Sequence, residues 1–123
     1  MHMIINNQSM VPIYEQIMEQ IKKAIASGEL SEGSMLPSVR GLAAELRISA
    51  LTVKKAYDRL EEEGLTVTVH GKGTFVTETN QELVKEQQRM MAEQELQKVV
   101  EKALRGGLTK QELRDLFEMI MEE

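Results

Sequence analysis

Residues 36–76 read LPSVRGLAAELRISALTVKKAYDRLEEEGLTVTVHGKGTFV, and this stretch decides the fold. Val39, Leu42, Ala43 and Leu46 recur at i, i+3, i+4 and i+7, which puts all four on one helix face behind Ser38 as N-cap. Val53, Ala56, Tyr57 and Leu60 repeat that spacing in a second helix, which Ser49 starts and Gly64 ends. Only Arg47, Ile48 and Ser49 lie between the two patterns, so the helices must turn sharply against each other. After Gly64, Leu65, Val67 and Val69 alternate with Thr66 and Thr68, the period of a strand buried on one face. His70-Gly71-Lys72-Gly73 then reads as a turn and Thr74 to Thr77 as the returning strand. The order is a helix-turn-helix followed by a β-hairpin, the winged form of that motif.

The faces opposite the apolar stripes carry the chemistry. Arg40 and Arg47 lie on the outer side of the first helix, and Leu51, Lys54 and Lys55 lie opposite the buried stripe of the second. Between residues 38 and 59, five Lys or Arg stand against two acids. Cations so placed displace counterions from phosphates, while the first turns of the second helix are the part that enters a major groove. The rival reading is a winged-helix interaction module that binds protein and not DNA, since an acidic partner surface also suits Arg40 and Lys54. DNA binding is the stronger of the two.

Pro12-Ile13-Tyr14-Glu15-Gln16-Ile17, Ser27-Gly28-Glu29-Leu30 with Gly33, Leu36-Pro37-Ser38-Val39-Arg40, Leu42-Ala43, Thr52-Val53 with Ala56-Tyr57, Leu60-Glu61 with Glu63-Gly64-Leu65, and Gly71-Lys72-Gly73-Thr74-Phe75-Val76 together resemble the DNA-binding domain of GntR-family bacterial transcription regulators. The short remainder resembles the YtrA-type branch, whose members carry a small helical dimerisation tail in place of a large effector domain. The resemblance implies a repressor, with transporter operons as targets. It makes Arg40, the residues from Ser49 to Lys55 (with Ala50, Leu51, Thr52 and Lys54 among them) and the wing residues Gly71, Lys72, Gly73 and Thr74 the expected DNA contacts. By position beside these, Ser38, Arg47 and His70 are further candidates, although His70 also reads as a plain exposed turn residue and Leu51 as one that packs against the wing or the first helix of the motif. Lys72, between two glycines, is the expected phosphate contact of the wing.

Two positions depart from the family pattern. Relatives usually carry Glu three residues after the Ser cap, where this chain has Gly41, and Gly in the inter-helix turn, where it has Arg47. With an unchanged backbone these differences cost on the order of 1 to 2 kcal/mol. A phosphate contact by Arg47 would offset its strain.

N-terminal to this stretch, Pro12 suits a first helical position, and Ile13, Ile17, Ile21 and Ile25 form a stripe that Gly28 ends. Ser31 to Met35 reads as a polar connection, and Pro37 keeps Leu36 extended before the cap. His2 is expected in a mobile terminus. Met1 to Asn7 lack the basic start and apolar run of a signal peptide, no run reaches transmembrane length, and a cytoplasmic protein without membrane contact is expected.

From Glu78 the composition shifts to Glu, Gln and Met. A long helix is expected from about Gln81 to Leu104, with Leu83, Val84, Met90, Met91, Leu96, Val99, Val100, Ala103 and Leu104 as its apolar side. Gly106-Gly107 breaks it. Thr109 then caps another helix, Glu112 completes a capping box, Leu108 is placed to staple Leu113, and Leu113, Leu116, Phe117, Ile120 and Met121 line one face. Two short amphipathic helices cannot enclose a core alone, so a second copy is the expected partner, held through Val99, Val100, Leu104, Leu113, Leu116, Phe117 and Ile120. Met90, Met91, Met119 and Met121 serve more readily as core filler than as a groove for a small-molecule effector, which stays an unidentified candidate partner.

The expected fold is thus α+β and mainly helical: a winged helix-turn-helix domain over 9–77 and a two-helix dimerisation tail over 78–123. Its expected role is a homodimeric regulator at a duplex operator with two related half-sites. The net charge of −5 does not oppose this. Up to Thr77 there are eight basic and nine acidic residues, and from Glu78 onward seven and eleven, so most of the acidity is in the tail. Cysteine is absent, which removes disulfides, thiolate metal sites and Cys nucleophiles. Two histidines with no nucleophile nearby, no phosphate loop and no metal-ligand cluster argue against an enzyme, and no cofactor is expected.

Overall fold

The computed structural model describes residues 2–78 and 81–122, apart from the side chain of Gln81. It divides into two compact units, Met1–Glu86 and Gln87–Glu123.

In the first unit, α1 (Ile13–Ser27) buries Ile17, Ile21 and Ile25 and ends at Gly28, whose φ of 85° is the left-handed cap a glycine tolerates best. Pro12 occupies the N-cap with ψ 145°, one residue earlier than the sequence implied. Its extended backbone aims its carbonyl at the Glu15 and Gln16 amides, at 3.0 and 3.1 Å. The segment before α1 is docked, contrary to the mobile terminus expected around His2. The Gln20 side-chain amide accepts from the Ile4 amide at 2.9 Å and donates to the Ile4 carbonyl at 2.8 Å. Gln16 accepts from the Asn6 amide at 2.8 Å and donates to the Asn6 and Val11 carbonyls at 3.0 and 2.9 Å. Two side-chain amides on successive turns thus pair the arm as a neighbouring strand would, and Met3 reaches the core.

Helices α2 (Val39–Leu46) and α3 (Ala50–Glu62) form the turn motif, with α3 packed on both α1 and α2. Val53, Ala56, Tyr57 and Leu60 are buried against Ile17, Ile21, Ile25, Leu42 and Ala43 in one core. Gly64, with φ 79°, closes α3, and the Leu65 amide donates back to the Leu60 carbonyl at 3.0 Å.

Strands β1 (Thr66–Val69) and β2 (Gly73–Val76) pair antiparallel, with Thr66 opposite Val76 and Val69 opposite Gly73. The expected alternation is absent. Thr66 is buried, whereas Val67, Thr68 and Val69 are all exposed. Leu65 belongs to the helix-closing motif, so its burial does not set the phase of the strand; within β1 only Thr66, opposite buried Val76, is turned into the core. Residues 33–36, of which 33–35 belong to the stretch read as a polar connection, line the other edge of β2. The Gly33 amide donates to the Val76 carbonyl, the Val76 amide to the Ser34 carbonyl, and the Leu36 amide to the Thr74 carbonyl, each at 2.8 Å.

The core also takes in Val84 from the start of α4 (Gln81–Arg105), so Val84 is not part of a free tail face and the first unit runs beyond Thr77 to Glu86. In the second unit, α4 ends at Gly106-Gly107, with φ 102° at Gly107. The α5 helix (Lys110–Met121) carries the full capping box: Thr109 Oγ1 accepts from the Glu112 amide and Glu112 Oε1 accepts from the Thr109 amide, both at 3.1 Å. Leu96, Val99, Val100, Ala103 and Leu104 make one stripe at the C-terminal half of α4, and Leu113, Leu116, Phe117, Ile120 and Met121 make another on α5. None of the α5 residues is buried.

Candidate nucleic-acid interface

The turn between α2 and α3 positions everything around it. Arg47 adopts φ 57° and ψ 48°, the left-handed conformation, and the Ile48 amide donates to the Ala43 carbonyl at 3.0 Å to close α2. A glycine would hold this backbone without its Cβ penalty, so the guanidinium is retained at a cost in strain. Its side chain is exposed, as is that of Arg40.

The start of α2 is fixed from two sides. Ser38 Oγ accepts from the Gly41 amide at 3.0 Å, which is half of a capping box. Gly41 cannot supply the other half, and a Cβ there would come within 2.8 Å of Ser38 Oγ. From below, the Tyr57 hydroxyl donates to the Pro37 carbonyl at 2.7 Å, and burial pushes its phenol well above the usual tyrosine range. Tyr57 therefore sets the height at which Ser38 and Arg40 leave the core.

On α3, Ser49 Oγ accepts from the Leu51 amide at 3.1 Å. Ala50 and Leu51 are exposed and Thr52 is half-buried. Lys54 donates to the Asp58 carboxylate at 2.8 Å, and this hydrogen bond, reinforced by the carboxylate's charge, holds its ammonium above the ordinary value. Lys55 Nζ sits 4.1 Å from the centroid of the Tyr14 ring, and the Arg59 guanidinium is 5.5 Å from it. An aromatic platform on α1 thus orients two cations of α3.

On the wing, Val69 accepts from the Lys72 amide at 3.0 Å, with Gly71 at φ 76° in the third position of that turn. His70, Gly71 and Lys72 are exposed at the tip, while Gly73 and Thr74 are half-buried. Thr74 Oγ1 lies 3.1 Å from Thr68 Oγ1, and Glu61 of α3 accepts from the Thr68 amide at 3.0 Å, tying the wing to the second helix of the motif. The sequence reading missed Tyr14, Tyr57 and Glu61, whose roles depend on partners 7 to 45 residues away. Asp58 was within reach, since i+4 from Lys54 is salt-bridge spacing.

This arrangement defines a winged helix-turn-helix protein with a cationic outer face, the architecture of a DNA-binding regulator. The family model for "Bacterial regulatory proteins, gntR family" matches residues 13–76. The HTH-type transcriptional repressor YtrA of Bacillus subtilis is 37% identical over 118 residues, covering 96% of this chain and 88% of that protein. A GntR family transcriptional regulator from Listeria monocytogenes superposes with TM-score 0.73 at 29% identity, covering 94% of this chain and 98% of that one. The DNA-binding domain of AraR in complex with operator ORX1 superposes with TM-score 0.56 at 29% identity over 62% of this chain and 95% of that one. The chain belongs to the GntR family, in its YtrA-type branch, and is a transcription regulator and not an enzyme. No helix among the described residues is long and apolar enough to cross a membrane.

Proposed function

We propose that this regulator is a cytoplasmic homodimeric repressor that occupies a duplex operator with two related half-sites, with transporter genes among its targets. Each protomer engages one half-site through Arg40 and Arg47 beside α2, the first turns of α3, and His70 to Thr74 of the wing. The observation that carries the dimer is the tail: α5 has a complete cap at its start and a regular apolar stripe, yet Leu116, Phe117 and Ile120 are 42%, 49% and 56% exposed. A capped helix with its apolar side in water needs a covering surface, and a second copy supplies an identical stripe through a twofold axis. The acidic tail is repelled by phosphate and so is not among the expected DNA contacts. The relatives' printed roles as repressors support the sign of regulation.

Selection of bound duplexes from a random pool, followed by gel shift with competitor across a salt series, tests the proposal. A motif with two related halves, and affinity that falls linearly with the logarithm of salt, is expected. Failure to enrich any motif would reject it.

A further inference from the structure

The first turn of α3 is unusual for a base-reading surface because a large apolar side chain stands exposed on it. Leu51 is 77% exposed, and its backbone is held by the Ser49 cap at 3.1 Å. It lies opposite the stripe of Val53, Ala56 and Leu60, so it takes no part in the core. An isolated exposed leucine elsewhere would need no explanation. This one stands on the turn that a helix-turn-helix presents to base edges, with the cation of Arg47 just before it.

Its neighbours supply few alternatives. Ala50 has no hydrogen-bonding group, and Thr52 is half-buried. Lys54, one turn on, is drawn along the helix to Asp58 at 2.8 Å. In the major groove the apolar feature that distinguishes one base is the C5-methyl group of thymine. A leucine contact there excludes water from both methyl surfaces, whereas the same side chain against cytosine N4 or a purine edge leaves a polar group without a partner.

We infer that Leu51 is a specificity-determining residue that reads the methyl group of a thymine in each half-site by apolar contact. The inference rests on the operator-binding reading above. It predicts that thymine is demanded at that position for its methyl group and not for its hydrogen-bonding edge.

Deoxyuridine tests this directly, since it keeps the thymine hydrogen-bonding pattern and lacks only the methyl. With full-length protein and an operator selected from random duplexes, each thymine is replaced singly, at equivalent steps in both halves. One such replacement should weaken binding about fourfold per half-site, the effect of losing one methyl-sized apolar contact. Leu51→Ala should bind the thymine and deoxyuridine forms equally, with unfolding unchanged because the side chain is outside the core. Deoxyuridine without effect at every step, or a full thymine preference retained by Leu51→Ala, would overturn the inference while leaving operator binding intact. Failure to select any duplex would overturn both.

Discussion

The Tyr57 hydroxyl, buried on α3, donates to the carbonyl oxygen of Pro37 at 2.7 Å, one residue before the Ser38 cap of α2. One hydrogen bond thereby couples the packing of the second helix to the place where the first begins. Tyr57→Phe should leave the Pro37 carbonyl without its partner and cost about 1–2 kcal/mol in urea unfolding. The pH dependence has a definite sign. The folded phenol's pKa is raised above its ordinary value of 10.0, so wild type should lose stability as pH climbs past 10. That alkaline component should be missing from Tyr57→Phe.

Arg40 is exposed directly behind the cap, at a helix N-terminus that already favours anions. Arg40→Ala should weaken binding to the best selected operator by roughly 1–3 kcal/mol, with an unchanged melting temperature. Titration by fluorescence anisotropy checks the affinity, and equal binding would remove Arg40 from the interface.

Arg47 should show the opposite balance between stability and function. Relief of its left-handed backbone in Arg47→Gly is expected to stabilise the fold by about 1 kcal/mol. Operator affinity should fall at the same time. A variant both less stable and undiminished in binding would mean that the strain has no functional counterpart.

Gln16 tests the docked arm. It makes three hydrogen bonds to the backbone of Asn6 and Val11, so Gln16→Ala should cost roughly 2 kcal/mol and expose the residues before Pro12 to limited proteolysis. Undiminished protease resistance would show that Met3 and Gln20 suffice to hold the arm.

The contrast between what was and was not legible in the sequence follows from range. Helices α2 and α3, with their caps at Ser38, Ser49 and Gly64, are written in spacings of three and four residues, and the structure reproduces them. The capping box of α5 is equally local. The wing was legible as a hairpin but not in its burial, because Leu65 looks like the first strand residue and instead closes α3. The third edge at residues 33–36 and the arm on Gln16 and Gln20 were hidden because no period marks a side-chain amide that substitutes for a strand. In the candidate interface the exposed cations were legible from their positions opposite the stripes. Their internal partners were not, and Tyr14 beneath Lys55 emerges only once α1 and α3 are packed together.

The tail predicts a separable effect. Replacing Leu116 and Phe117 together by serine removes apolar surface that is exposed within one protomer, so the helix content of the chain should persist. Affinity for a two-half-site operator should drop by about 10²- to 10⁴-fold through loss of linkage between the two modules.

Sedimentation equilibrium of the full-length chain, alone and with a duplex carrying both half-sites, measures whether the tail joins two DNA-binding units. A free dimer and two protomers per duplex are the predicted masses. A free monomer that also loads one protomer per duplex would contradict the assignment of α4 and α5 as the element that joins two DNA-binding units.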